Sequence, residues 1–202
     1  MSIALIGASG NAGSRILKEL SDRGHQVTAI ARHPEEIAKL PNVTAKKGDV
    51  FDKDGLASLL KGHDIVVSAV PFTASDLRIL IDAVKSAGAK RYLVVGGAGS
   101  LEAAPGVKLI DTPDFPDAYK AEAARGGEFL DLLRREKSLD WTFLSPSAVF
   151  APGKRTGKFR LGKDRLLTTD KGSGISFEDY AIALVDELEK PAHSRQRFTV
   201  GY

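Results

Sequence analysis

Short apolar runs punctuate this chain, and between them hydrophobic residues recur at helical spacing. Ile3-Ala4-Leu5-Ile6, Gln26–Ala31, Val43-Thr44-Ala45, Ile65–Val70, Tyr92–Val95, Trp141–Leu144 and Arg197–Val200 read as strands. Most are nearly continuous rather than alternating, which suits a parallel sheet covered on both faces. Ile16, Leu17 and Leu20 define a helical face, as do Leu56, Leu59 and Leu60, and again Leu77, Leu80, Ile81 and Val84. The first helix is expected from about Asn11 to Arg23. Gly24, Gly62 and Gly88 each stand between a helical stretch and the next strand, where a left-handed C′ residue belongs. A long helix spans about Asp117 to Glu136. The last begins near Ser176, with Ser176 as N-cap, Glu178 and Asp179 in its first turn, and Ala181, Leu184, Val185 and Leu188 as its apolar face. The β-α-β-α alternation predicts an α/β fold: a Rossmann-type, doubly wound parallel sheet with helices on both faces.

The pattern changes after Pro146. Pro152–Gly174 is rich in Gly, Lys and Arg, with a short strand expected around Leu166-Leu167-Thr168. The remainder is too short for a substrate domain. Residues 1–202 are therefore expected to form one domain, with 146–202 as a small C-terminal cap on the substrate side.

The first strand runs into Gly7-Ala8-Ser9-Gly10-Asn11-Ala12-Gly13, and a helix leaves it. Glycine serves three ends at such a junction: a tight turn, close approach of backbone to a pyrophosphate, and close packing of helix on strand. The helix N-terminus adds free N–H groups and the positive end of its dipole. The spacing is G-x-x-G-x-x-G rather than G-x-G-x-x-G. The strand–turn–helix context selects a dinucleotide site over a ligand-free loop.

Composition adds exclusions. The chain has 202 residues, a net charge of +3 and no cysteine, which removes disulfide and thiolate chemistry. No apolar run approaches the roughly 18 residues of a membrane helix. The N-terminus lacks the pattern of a signal peptide. A cytoplasmic protein with no membrane contact is the expectation. The charge alone does not argue for nucleic acid, and no recognition module accompanies the basic residues Lys154, Arg155, Lys158, Arg160, Lys163 and Arg165. That segment is either a solvated loop or an attractor for an anionic ligand such as a flavin phosphate. The histidines show no metal-ligand spacing, so no metal is expected.

The tip of the second strand separates NAD from NADP. An acid there would bind the ribose 2′-OH, whereas an Arg accommodates a 2′-phosphate. Here the tip is Ala31-Arg32-His33. NADP(H) is therefore expected over NAD(H), unless Arg32 is only a solvated strand end. Arg15, in the first turn of the helix, is a candidate second cation. Asp49, in Gly48-Asp49-Val50, could accept from the adenine amino group or could cap the next helix. Ser68-Ala69-Val70-Pro71 ends the fourth strand with small residues against which a nicotinamide ribose could lie, although Pro71 also reads as a helix-start proline.

With these residues in place the chain resembles an atypical short-chain dehydrogenase. Within that superfamily it is similar to the NAD(P)H-binding proteins called NADH-flavin reductases, relatives of biliverdin-IXβ/flavin reductase. The resemblance covers nearly the whole chain. Its carriers are Gly7–Gly13, Ala31-Arg32, Gly48-Asp49-Val50, the run Val94–Ser100, Trp141–Pro146, Pro152–Gly157 and Ile175–Ala181. It implies cofactor contacts at Gly7, Ser9, Gly10, Asn11, Ala12, Gly13, Arg32, Asp49, Val50, Ala69, Val70, Pro71, Gly96, Ser145 and Pro146. It implies a serine near the nicotinamide, for which Ser100 stands in a comparable place by spacing.

The chain departs from the superfamily in one respect. Most members use Tyr-x-x-x-Lys, the Tyr as acid or base and the Lys to lower its pKa. Here Tyr119 is followed by Lys120, and the position four on is Ala123; Tyr180 has Leu184 four on. Neighbouring helical residues point about 100° apart, so Lys120 cannot copy the usual geometry. Tyr119 is thus either a candidate acid or a helix-start packing residue. Carbonyl reduction benefits from an acid at the developing alkoxide. Hydride transfer to a flavin leaves a delocalised anion that needs it less. The expected partner is a small-molecule acceptor, with FMN or FAD as candidates, and the protein a monomer or homodimer. A non-catalytic nucleotide sensor of NmrA-like type shares the missing pair. A sugar-nucleotide epimerase or dehydratase is disfavoured by the short C-terminal part and the same absence.

Overall fold

The computed structural model describes all 202 residues. The elements are β1 (Ser2–Ile6), α1 (Asn11–Asp22), β2 (Gln26–Ala31), β3 (Val43–Lys47), α2 (Lys53–Leu60), β4 (Ile65–Ser68), α3 (Leu77–Ala87), β5 (Arg91–Val95), β6 (Glu102–Ala104), β7 (Val107–Lys108), α4 (Asp117–Arg135), β8 (Asp140–Pro146), β9 (Val149–Ala151), β10 (Arg160–Gly162), β11 (Gly174–Ser176), α5 (Phe177–Glu189) and β12 (Gln196–Gly201).

One sheet organises them, in the order β10-β12-β8-β5-β4-β1-β2-β3. Every pairing in it is parallel except β10 with β12. The strand order reverses at β1 and β4. In an open α/β sheet this switch point is where a crevice forms beyond the carboxyl ends of the strands. Both faces are covered, as the continuous apolar runs require. Leu5, Val67, Leu93 and Phe198 face α1 and α5. Ile6, Val66, Tyr92 and Phe143 face α2, α3 and α4.

Caps set the ends of the helices. Ser176 accepts from Asp179 N, Asp76 from Arg78 N and Ile79 N, and Asp52 from Gly55 N. Gly24, Gly62 and Gly88 have φ of 79°, 85° and 73°, so the glycine punctuation marks left-handed turns.

The region after Pro146 differs from expectation in two ways. No strand forms at Leu166–Thr168; the strand of this segment is β10, six residues earlier, paired with β12 through Leu161 and Val200. Leu167 instead packs its side chain against Gly162 and Gly201. In addition, α5 and β12 belong to the central layers: β12 pairs with β8 inside the main sheet, and α5 packs on α1. The stretch between β9 and β11 supplies the edge strand β10.

Candidate active site

The C-terminal ends of β1, β4, β5 and β8 share one edge of the sheet, so the expected residues come together there. Gly7, at φ 81°, begins the turn. A Cβ on Gly7 would stand 2.5 Å from the Ala69 carbonyl oxygen, and one on Gly13 would collide with the Gly7 carbonyl. Those two glycines close the protein on itself. Gly10 is different. Its φ is −70°, and the atom nearest a built Cβ is the Gly7 oxygen at 3.3 Å. Ser9, Gly10 and Asn11 are exposed, while Ala12 is half-buried. The N–H groups of Asn11, Ala12 and Gly13 donate to no protein atom, and no side chain caps α1. Three free donors at a helix N-terminus, beside a glycine that leaves its flank open, fit a pyrophosphate.

Arg32, exposed at the end of β2, lines a cleft of about 530 Å³ with Lys47, Asp49 and Leu59. Lys47 pairs in register with Ala31, which places a second cation beside the first. Sequence reading missed Lys47, because cross-strand register is not visible in a linear pattern. Asp49 is exposed and accepts from Phe51 N at 2.9 Å, a local turn; the cap of the next helix is Asp52. Val50 is half-buried against the α2–α3 face. Arg15 points elsewhere: it pairs with Glu178 at 3.1 Å and lies over the Phe177 ring.

Beyond β4, Ala69 and Val70 are half-buried and Pro71 is exposed. Pro71 starts no α-helix; it precedes a 3₁₀ turn, Phe72–Ala74. Glu122 of α4 holds that turn, accepting from Phe72 N at 2.6 Å, Thr73 N at 2.9 Å and Thr73 Oγ1 at 2.7 Å. Sequence reading also missed Glu122, whose partners lie about fifty residues away.

Gly96 is buried and donates to the Leu144 carbonyl at 2.8 Å, with the Phe143 ring in the space of a side chain. Tyr180 donates to the same carbonyl at 2.7 Å, and burial pushes its hydroxyl pKa up. Ser100 is half-buried, and Ser145 and Pro146 are buried. Both serine hydroxyls accept from Arg197, at 3.2 and 3.3 Å. Tyr119 stands 64% exposed in the first turn of α4, and Lys120 pairs with Asp117. Ala123 abuts Gly99, where a built Cβ would approach the Ala123 Cβ to 2.7 Å. The position four on from Tyr119 therefore holds a small side chain against the Gly99 backbone, with no lysine.

Two arginines of the basic segment are tied down, while Lys154, Lys158 and Lys163 have no ion-pair partner. Arg155 makes two bonds to Glu19, both 2.9 Å, and Arg160 donates to the Thr168 and Tyr202 carbonyls. Asp179 accepts from Thr156 N, Thr156 Oγ1, Gly157 N and Tyr202 OH. Burial alone would push its carboxyl up, but these bonds outweigh it and hold the pKa below the ordinary range. No group of three His, Asp or Glu side chains stands in metal-binding geometry. No helix is long and apolar enough to cross a membrane.

Three comparisons bear on this geometry. A family model described as NAD(P)H-binding matches residues 7–191. The uncharacterized protein YwnB of Bacillus subtilis is 46% identical over 99% of this chain and 98% of its own. Two solved structures superpose over the whole chain. One, provisionally called an epimerase, is from Bacteroides thetaiotaomicron (47% identity, TM-score 0.94, 96% of that chain). The other, provisionally called an NADH-flavin reductase, is from Streptococcus pneumoniae (39% identity, TM-score 0.81, 99% of that chain).

Proposed function

Because this chain belongs to the NAD(P)H-binding family, we propose that it is an NADPH-dependent oxidoreductase delivering a hydride to free FMN or FAD, or to a related planar acceptor. One observation carries the choice of acceptor: Tyr119 stands in solvent, and the residue four on, Ala123, packs against Gly99 and offers no lysine to pair with it. A site with a dinucleotide cradle but no Tyr-Lys pair suits acceptors whose charge delocalises after hydride transfer. The cofactor supplies the hydride. The protein supplies position. The free N–H groups of Asn11, Ala12 and Gly13 would hold the pyrophosphate, Arg32 and Lys47 the 2′-phosphate, and Ala69–Pro71 the ribose next to nicotinamide. The relatives' provisional names point to two chemistries. Epimerisation by the usual route calls on the Tyr-Lys pair, which weighs toward the reductase.

Steady-state oxidation of NADPH with added FMN, FAD or a quinone tests the reading. Turnover that saturates in both substrates is expected. A folded protein that binds NADPH and turns over none of these acceptors would instead be a nucleotide sensor.

A further inference from the structure

Arg15 joins two helices and a loop beside the first turn of α1. Its Nε donates to Glu178 Oε1 at 3.1 Å, and its Nη1 donates to the Asn11 carbonyl at 3.3 Å and to Ser14 Oγ at 3.2 Å. Its Nη2 donates to no protein atom. The guanidinium lies over the Phe177 ring, 5.6 Å from the ring centre. On the other side of the pair, Glu178 Oε2 accepts from Gly153 N at 2.9 Å. Burial alone would raise the Glu178 carboxyl pKa. The bonds from Gly153 and Arg15 outweigh it and hold the group below its ordinary range, so Glu178 is ionised.

A cation this near a helix N-terminus stands against the dipole. Asn11, whose carbonyl Arg15 touches, also carries the first of the free N–H groups assigned to the pyrophosphate. The other cation of α1, Lys18, pairs with Asp22 further down the helix. Arg15 is therefore the α1 cation nearest the cradle, and Glu178 holds it. The two side chains are 34% and 23% exposed, so their pair is weak enough to exchange partners. Glu178 keeps its bond from Gly153 N when Arg15 turns away, so the carboxylate stays in place for its return.

We propose that Glu178 and the pyrophosphate of the dinucleotide compete for Arg15. A pyrophosphate carries more negative charge than one carboxylate, and a guanidinium fork binds phosphate oxygens in pairs. Bound cofactor draws Arg15 toward the cradle through its Nη edge, and Glu178 takes it back on release. The competition lowers affinity by the strength of the Arg15–Glu178 pair. In an enzyme that must discharge oxidised dinucleotide on every cycle, that speeds a step which often limits turnover. The proposal rests on the assignment of the cradle and not on that of the acceptor.

Titration calorimetry of the full chain with NADP⁺ tests the competition. Adenosine 2′-monophosphate is the control, since it can reach Arg32 and Lys47 but has no pyrophosphate. Glu178→Gln keeps an acceptor for Gly153 N and frees Arg15. It should bind NADP⁺ about three- to fivefold more tightly, the scale of a partly exposed ion pair. Arg15→Met should bind it about tenfold more weakly, at the low end of the range for a charge-assisted bond. In the double variant the gain from Glu178→Gln should vanish, because the two residues act through one contact. Affinity for adenosine 2′-monophosphate should stay within about twofold of the parent in every variant. Unchanged or weaker NADP⁺ binding by Glu178→Gln would mean that the pair only braces α1 against α5, and would overturn the proposal. So would a gain that persists beside Arg15→Met, which would make Glu178 a simple repeller of phosphate. Should Arg15→Met fail to fold, Glu178→Gln decides alone. Failure of the cradle assignment looks different, since the parent would then bind NADP⁺ no better than adenosine 2′-monophosphate.

Discussion

Glu122 accepts the Phe72 backbone N–H at 2.6 Å, binding α4 to the turn that follows Pro71. The same carboxylate takes Thr73 N and Oγ1, and the Phe72 ring fills the space left by Gly126. Glu122 thus holds the loop expected to carry the nicotinamide ribose.

Glu122→Ala leaves two N–H groups without their charged acceptor. It should cost about 2–3 kcal/mol of stability, given about 1.5–3 kcal/mol for a hydrogen bond to a charged group. NADPH affinity should fall alongside, because Pro71 loses its anchor. Urea denaturation and fluorescence titration measure the two effects. A destabilised variant with parental NADPH affinity would limit Glu122 to a folding role.

The turn glycines should separate by task. Gly13→Val drives a side chain into the Gly7 carbonyl; overpacking costs about 1–3 kcal/mol, occasionally more, so thermal stability should drop sharply. Gly10→Ala keeps ordinary backbone angles and meets only one close atom. It should fold, and it should lose about tenfold or more in NADPH affinity, the equivalent of about 1.4 kcal/mol. Isothermal titration of folded Gly10→Ala with unchanged affinity would move the pyrophosphate elsewhere.

Cofactor preference should depend on the pair at the ends of β2 and β3. A charge-assisted bond to the 2′-phosphate contributes about 1.5–3 kcal/mol, or roughly 10- to 150-fold. Arg32→Ala should lose most of the preference for NADPH, and Lys47→Ala a smaller part, with NADH binding nearly unchanged in both. Equal dissociation constants for NADPH and NADH in the parent would contradict this assignment.

Tyr119→Phe should retain most of kcat with FMN. The phenol is largely in solvent and has no lysine one turn on, so it donates no essential proton. An essential general acid would cost about 10²-fold or more on removal. Stopped-flow traces of NADPH oxidation distinguish the two outcomes.

Asp179 should make the Thr156–Gly157 segment acid-sensitive. Its pKa is depressed in the folded protein, despite burial, by the bonds from Thr156, Gly157 and Tyr202. A depressed carboxyl contributes stability above its unfolded value near 3.9, and that contribution is lost as pH falls through the folded value. Parental Tm should therefore drop steeply below about pH 4. Asp179→Ala should lower Tm at pH 7 and flatten the acid limb. Identical acid limbs in calorimetry would show that Asp179 does not govern it.

Much of this protein was legible in its linear pattern. Continuous apolar runs separated by helical-period stretches dictate a parallel sheet covered on both faces, since each run must bury both of its sides. A glycine turn between first strand and first helix marks the crevice. The lack of a lysine four residues after Tyr119 or Tyr180 is readable from spacing alone. What the pattern could not show depends on partners far apart in the chain. The jobs of Gly7, Gly10 and Gly13 differ only because Ala69 and the Gly7 carbonyl stand where they do. Lys47 reaches Arg32 through sheet register, and Glu122 reaches Phe72 across two elements. Arg197 lies in the last strand, whose place in the sheet the linear pattern does not give; β12 pairs with β8, and the Arg197 guanidinium reaches Ser100 and Ser145. Local sequence determines which segments become strands and helices, because backbone propensity and hydrophobic period act over a few residues. Tertiary packing alone decides which polar groups meet, because a buried charge takes whatever partners the folded chain brings within hydrogen-bond reach.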